Sequence, residues 1–302
     1  MTKKRFQGTG TALITPFRSD GAIDERALRR LVDIQITQGV DMLLPCGTTG
    51  EGATLEPEEA DRVAQIVLEQ ARGRLPVIVG AGTNSTAKAI KATKQAKKLG
   101  ADGVLSVAPY YNKPTQQGYY EHFKAIAEAE DIAVIVYNVP GRTSGNIEAS
   151  TMLRLADIPN IVGVKEASGN LGQIMDIIRH RPPEFRVLAG DDFIAFAVIA
   201  LGGDGVVSVV SNEVPGMMAQ MINAALEGDI TKARELHYRL VPLMNVNFIE
   251  SNPIPVKAAL AMMGMIEEKY RLPLVPLSAP SREKLRKVVE ELGLLQVAGV
   301  QK

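Results

Sequence analysis

Lys165 stands near the end of a short apolar run, Ile161-Val-Gly-Val-Lys-Glu-Ala167, and of all the side chains in the sequence its chemistry most needs explaining. The run reads as a buried strand. Strand side chains alternate, so Gly163 and Lys165 share one face while Val162, Val164 and Glu166 take the other. An ammonium in that setting must be solvated, paired or neutralised. Neutralised, it is the kind of amine that forms Schiff bases with ketones. On this strand alone the commoner case is the plainer one, a lysine reaching water at the strand end beside Glu166.

Other polar residues follow apolar runs in the same way. Gly47-Thr-Thr-Gly-Glu51 sets two hydroxyls and closely spaced backbone amides in a glycine turn, which suits a carboxylate, although an ordinary loop has the same composition. Ala108-Pro-Tyr-Tyr-Asn-Lys-Pro114 carries an aromatic pair that could simply pack a loop. Tyr137-Asn-Val-Pro-Gly-Arg-Thr143 ends a run whose inward parity is Ala133, Ile135 and Tyr137, and its Arg142 reads equally as a solvated surface arginine. Gly190-Asp-Asp192 offers two carboxylates with no third metal ligand in view, so a helix N-cap is favoured over a cation site. Gly202-Gly-Asp-Gly205 could hold a phosphate in the usual barrel position. Gly8-Thr-Gly10 has no nucleotide fingerprint around it. Cys46 reads as packing.

The elements that would position these residues alternate along the chain. Strand patterns fall at 8–17, 42–47, 76–82, 103–109, 133–139, 161–167, 186–191 and 205–210. Helical patterns fall at 24–38, 56–72, 85–98, 116–129, 147–156, 170–179, 193–201 and 213–226. Eight such pairs point to an α/β fold, a (β/α)8 TIM barrel, with a doubly wound sheet as the competitor. Nearly continuous apolar runs such as Val134-Ile-Val-Tyr137 fit parallel strands covered on both sides. Beyond residue 226 only helical patterns remain, near 230–245, 254–264 and 281–294. The division expected is therefore a barrel over 1–226 carrying the active site and a C-terminal helical appendage over 227–302.

Composition narrows the function classes. In 302 residues, Lys plus Arg and Asp plus Glu both total 34, so the formal net charge is zero. That argues against nucleic acid or an anionic membrane as the main partner. The single cysteine excludes an internal disulfide and suits a reducing, cytoplasmic setting. The basic first residues meet no uninterrupted apolar segment, so no signal peptide is visible, and no apolar run reaches the length of a membrane span. His122, His180 and His237 lack metal-ligand spacing, and no metal is expected.

Taken together and in this order, GTTGE at 47–51, PYYNKP at 109–114, YNVPGRT at 137–143, GVKEASG at 163–169, GDD at 190–192 and NPIPVK at 252–257 closely resemble the dihydrodipicolinate synthase branch of the pyruvate-dependent class I aldolases. The likeness spans nearly the full length. It implies that Lys165 forms the Schiff base with pyruvate, that Tyr137 is the general acid/base, and that Thr48 relays protons between Tyr137 and Tyr111. In this family the residue matching Tyr111 reaches in from a neighbouring subunit. It implies further that Thr49 and adjacent amides hold the pyruvate carboxylate, that Gly190 and Val207 line the same pocket, and that Arg142 binds the carboxylate of L-aspartate 4-semialdehyde. The expected product is 4-hydroxy-tetrahydrodipicolinate, on the way to diaminopimelate and lysine, with no cofactor required and a homotetramer, a dimer of dimers, as the assembly.

Two readings compete. A retro-aldolase acting on N-acetylneuraminate or a 2-keto-3-deoxy sugar acid would share Lys165 and Tyr137 but should lack the arginine at 142. A catalytically retired keto-acid-binding barrel would have no reason to keep Lys165, Tyr137, Thr48 and Tyr111 together. The resemblance also shows a departure. Members inhibited by lysine tend to carry histidine where this chain has Ala60 and glutamate where it has Lys88, although Asn84 and Tyr110 are kept. A cation in place of that carboxylate opposes a cationic effector, so weak or no inhibition by lysine is expected.

Overall fold

The computed structural model of the chain describes residues 6–295. Eight parallel strands run β1 (Gly8–Ala12), β2 (Met42–Leu44), β3 (Ile78–Gly80), β4 (Gly103–Val107), β5 (Ala133–Asn138), β6 (Ile161–Glu166), β7 (Arg186–Ala189) and β8 (Gly205–Ser208). Their order around the sheet is β2-β1-β8-β7-β6-β5-β4-β3. A parallel bridge from Leu43 to Val77 brings the two ends together, with Leu43 N donating to Pro76 O at 3.1 Å and Gly80 N to Pro45 O at 2.9 Å. This is a (β/α)8 barrel, and the doubly wound alternative is excluded.

The strands are shorter than their apolar patterns, mostly at the C-terminal end, because residues there leave the ladder for the loops around the cavity. Around them lie α1 (Glu25–Thr37), α2 (Pro57–Ala71), α3 (Thr86–Leu99), α4 (Gln116–Ala129), α5 (Pro140–Thr143), α6 (Ala149–Ala156), α7 (Leu171–His180), α8 (Asp192–Ala200) and α9 (Pro215–Leu226). Local chemistry starts these helices where the sequence signals do. The Asp24 side chain accepts from Ala27 N ahead of α1, Glu56 and Glu59 close a capping box around Pro57, and Asn170 accepts from Gln173 N ahead of α7. One-turn α5, opened by Pro140, was not visible in the periodicity, since a single turn has none.

Two apolar layers result. Ala133, Ile135 and Tyr137 share the barrel interior with Met42, Leu105 and Val207, while Val134, Val136 and Val164 face the surrounding helices. Strand parity therefore holds on β5. On β6 it holds for Lys165 and Glu166 but not for Val162, which packs against the inner cluster instead. The pairing of β5 with β6 shifts there, from Val134 opposite Ile161 to Ile135 opposite Gly163, and that irregularity breaks the alternation.

After the barrel come α10 (Ile230–Val246), α11 (Ile254–Met262) and α12 (Ala279–Glu291). Leu240, Leu285 and Val289 from these helices belong to the same buried cluster as the barrel's outer layer. No helix among the described residues is long and apolar enough to cross a membrane.

Candidate active site

Lys165 occupies the inner face of β6 at 5 % exposure, opposite Tyr137 of β5 in the ladder. Its Nζ lies 4.2 Å from the centroid of the Tyr137 ring. Lys165 enters no ion pair among the described residues. Glu166 points the other way, where its carboxylate accepts from Ser168 N at 2.8 Å and Asn138 Nδ2 at 3.0 Å. The plainer reading, a lysine in water beside Glu166, is therefore wrong about the surroundings: the two side chains face opposite sides of the sheet, as parity requires. Lys257 is buried more deeply still, at 0 % exposure, but it is ion-paired with Glu51 and enclosed. Burial pushes the Lys257 ammonium below its ordinary pKa while Glu51 opposes that shift. Lys165 is thus the better placed of the two to meet a ketone.

Gly190 explains how room is made for it. A Cβ built at this position would fall 2.6 Å from Ala167 Cβ and 3.2 Å from Lys165 Cε. Only glycine lets the end of β7 approach the lysine stem this closely, an approach fastened by Gly190 N donating to Glu166 O at 2.7 Å. Val207 of β8 is buried in the same interior.

A cavity of about 690 Å³ opens over the C-terminal ends of the strands, with Thr48, Tyr137 and Arg142 on its wall. Glu51, Asn252, Tyr110, Ala60 and Lys88 line it as well. Arg142 lies on α5, and its Nη2 donates to Asn252 O at 3.4 Å. Thr49 is 3 % exposed, and its hydroxyl accepts from Asn252 Nδ2 at 3.0 Å. Asn252 therefore touches both groups that the motifs assign to carboxylates. Tyr111 is the exception. It is 90 % exposed with φ +71°, and within one chain it is not brought to the site; its neighbour Tyr110 lines the cavity.

The remaining motif residues have structural work. The Asp191 side chain accepts from Phe193 N at 2.9 Å and caps α8. Asp192 Oδ2 accepts from Val209 N at 2.9 Å and Val210 N at 3.0 Å, tying α8 to the end of β8. Gly202-Gly-Asp-Gly205 lies before β8, at the end of the barrel opposite the cavity, and Asp204 there pairs with Arg181 and Arg186. The phosphate reading fails because barrel phosphate loops follow a strand and do not precede it. Cys46 is buried, with its thiol 3.5 Å from Ala60 O, and burial pushes its pKa up to about 12. That supports the packing reading.

Residues 5–292 match the family described as the dihydrodipicolinate synthetase family. The chain belongs to that family. It is 52 % identical to the 4-hydroxy-tetrahydrodipicolinate synthase of Koribacter versatilis over 98 % of this chain and 99 % of that protein. The dihydrodipicolinate synthase of Thermotoga maritima superposes with a TM-score of 0.95 at 48 % identity, covering 96 % of this chain and 100 % of that one. The chloride-inhibited synthase of Acinetobacter baumannii, solved in complex with pyruvate, gives 0.94 at 45 % identity, covering 96 % and 99 %.

Asn252 and Lys257 stand within NPIPVK, and the motif alone gives neither a part in the site. A lysine inside the apolar stretch Ile254-Pro-Val-Lys-Ala-Ala-Leu260 was the available signal, since a charge at such a position needs a partner.

Proposed function

We propose that this chain, as a lyase of the class I aldolase type, condenses pyruvate with L-aspartate 4-semialdehyde through an imine on Lys165. The observation that carries the reading is the facing pair of Lys165 and Tyr137 beneath a cavity walled by Thr48 and Arg142, in a family member with full-length relatives named for this reaction.

The Lys165 amine attacks the ketone carbon of pyruvate, water leaves, and an imine forms. Loss of a methyl proton gives the enamine, whose carbon attacks the aldehyde of the semialdehyde. The amino group of the adduct then attacks the imine carbon and expels Lys165, closing the ring of 4-hydroxy-tetrahydrodipicolinate. Tyr137 moves the protons of imine formation and release, and a phenol beside the amine is suited to it. Thr48 passes those protons toward Tyr111 of a neighbouring subunit. Thr49 and the amides of its turn hold the pyruvate carboxylate, with Gly190 and Val207 lining the same pocket. Arg142 holds the carboxylate of the semialdehyde, the geometry in which a planar guanidinium does best. The lysine imine is itself the electron sink, so no metal or organic cofactor enters.

The exposed Tyr111 supports a partner-completed site and a homotetramer built from tight dimers. The barrel through residue 226 carries the chemistry and the helices from 227 onward brace it. The place of action is the cytoplasm, the product feeds diaminopimelate and lysine synthesis, and lysine inhibits weakly or not at all.

The test is turnover with pyruvate and aspartate semialdehyde, with Lys165→Ala and Arg142→Ala in parallel. The first change should abolish turnover and the second should cut it strongly. An intact protein without turnover would overturn the reading and direct the search to sugar acids.

A further inference from the structure

Glu51 closes the turn that presents Thr48 and Thr49, and it does so in a backbone conformation that a glutamate does not favour. Its φ is +55°, in the left-handed region, and its N–H donates to Thr48 O at 3.1 Å. Something must hold it there. Its side chain is buried, one carboxylate oxygen taking the ammonium of Lys257 and the other accepting from Arg271 N at 3.3 Å. Lys257 comes from α11 and is fully enclosed, with Nζ 4.3 Å from the centroid of the Phe17 ring. The opposite side of the turn is equally fixed. Thr15 Oγ1 donates to Gly50 O at 2.7 Å, and a Cβ at Gly52 would fall 2.2 Å from Cys46 O.

A buried ion pair is about as stabilising as well-packed apolar side chains of the same size, and its distinctive property is direction. Apolar residues could have joined α11 to the barrel. A lysine and a glutamate instead fix where the glutamate backbone lies, and with it the two threonines one and two residues past Gly47.

We propose that Lys257 is a positioning residue for pyruvate: acting through Glu51 from the C-terminal helices, it sets the turn whose Thr48 and Thr49 receive the substrate. This rests on the function proposed above. It makes the helices after residue 227 part of the binding apparatus without any of their charged groups touching the ketone.

The decisive variant is Glu51→Gln/Lys257→Met in the full-length protein, which removes both charges at nearly constant volume and leaves neither stranded. Borohydride trapping of pyruvate on Lys165, followed by intact mass over a pyruvate titration, reads the first substrate alone. Steady-state kinetics then separate KM for pyruvate, KM for the semialdehyde and kcat. We expect the pyruvate needed for half-maximal trapping to rise about tenfold or more, with KM for the semialdehyde within about twofold of the unmodified protein. A folded double variant with an unchanged trapping curve would overturn the proposal and leave the pair a brace of the helices only. If the double variant does not fold, Glu51→Gln, isosteric but left with one acceptor oxygen for the two donors Lys257 Nζ and Arg271 N, decides instead. A rise of about threefold in the same curve is then expected, and no rise overturns it. Failure of the unmodified chain to form any adduct on Lys165 would remove the functional reading itself, and it is distinguishable because it needs no variant.

Discussion

Tyr137 and Lys165 are direct register partners on β5 and β6, and the lysine Nζ rests 4.2 Å from the centroid of the tyrosine ring. The relationship is one of strand pairing before it is one of chemistry. Parallel pairing of two inward positions at the C-terminal ends of adjacent strands leaves the amine and the phenol no choice but to share one space. Gly190, just past the end of β7, then keeps the third side of that space open.

If the phenol moves protons for the imine, removing only its oxygen should slow the chemistry and leave binding intact. Tyr137→Phe is expected to lower kcat by about 10²–10⁴-fold with little change in Tm, because the ring and its packing remain. A kcat within threefold or so of the unmodified protein would remove Tyr137 from the proton path.

Arg142 offers a planar fork at the cavity wall and keeps a hydrogen bond to Asn252 O at 3.4 Å. Lysine keeps the charge and loses the fork. Arg142→Lys should therefore raise KM for the semialdehyde by about tenfold or more while pyruvate trapping on Lys165 stays as it was. Equal damage to both substrates would show that Arg142 supports the site as a whole and does not select the second substrate.

Gly190→Ala tests the geometry of the lysine stem. The added methyl would meet Ala167 Cβ at 2.6 Å, and a strand-end Cβ cannot swing aside. The ends of β6 and β7 must part, displacing Lys165. A loss of about a hundredfold in kcat/KM is expected from a shift on the order of an ångström, with folding retained. Activity near that of the unmodified chain would mean that the strands yield without moving the amine.

The barrel and most of this site could be read from the sequence because both depend on short-range pattern. Apolar runs of strand length, parity on β5 and residues placed just past strand ends are properties of neighbours in the chain. What escaped depends on long-range closure or local irregularity. The Glu51–Lys257 pair joins residues 206 apart, and neither position announces the other. Val162 left its expected face because the register shifts where β6 begins. The glycines at 202–205 lead into the strand pattern at 205–210, and the phosphate reading went by their composition although barrel phosphate loops leave a strand. Tyr111 was legible as a motif residue, but at 90 % exposure the fold of one chain gives it no contact that fixes its role.

Lys88 and Ala60 line the same cavity as Thr48 and Arg142. A free lysine approaching that end would bring its ammonium toward another ammonium, with a methyl where a ring donor or acceptor would be needed. Turnover in the presence of millimolar L-lysine is expected to stay close to that without it. Half-inhibition at micromolar concentration would show that the cavity recognises lysine by contacts other than these two.

Acid stability should carry the mark of His122. The ring is 5 % exposed on α4, with Nδ1 2.9 Å from Thr86 Oγ1 and its edge against Phe123 at a centroid distance of 5.0 Å. Burial pushes its pKa from 6.5 down to about 4. A folded-state pKa below the unfolded one means that the unfolded chain binds the proton more readily. The neutral ring therefore contributes stability that is fully present above pH 6.5 and is lost as pH falls toward 4. The full loss is about 3 kcal/mol, an upper figure for one group. His122→Leu cannot titrate and should escape it. Melting both proteins between pH 7 and pH 4 should show the unmodified Tm falling more steeply, by several degrees relative to the variant. A constant gap between the two curves would mean that His122 is protonated without disturbing the fold.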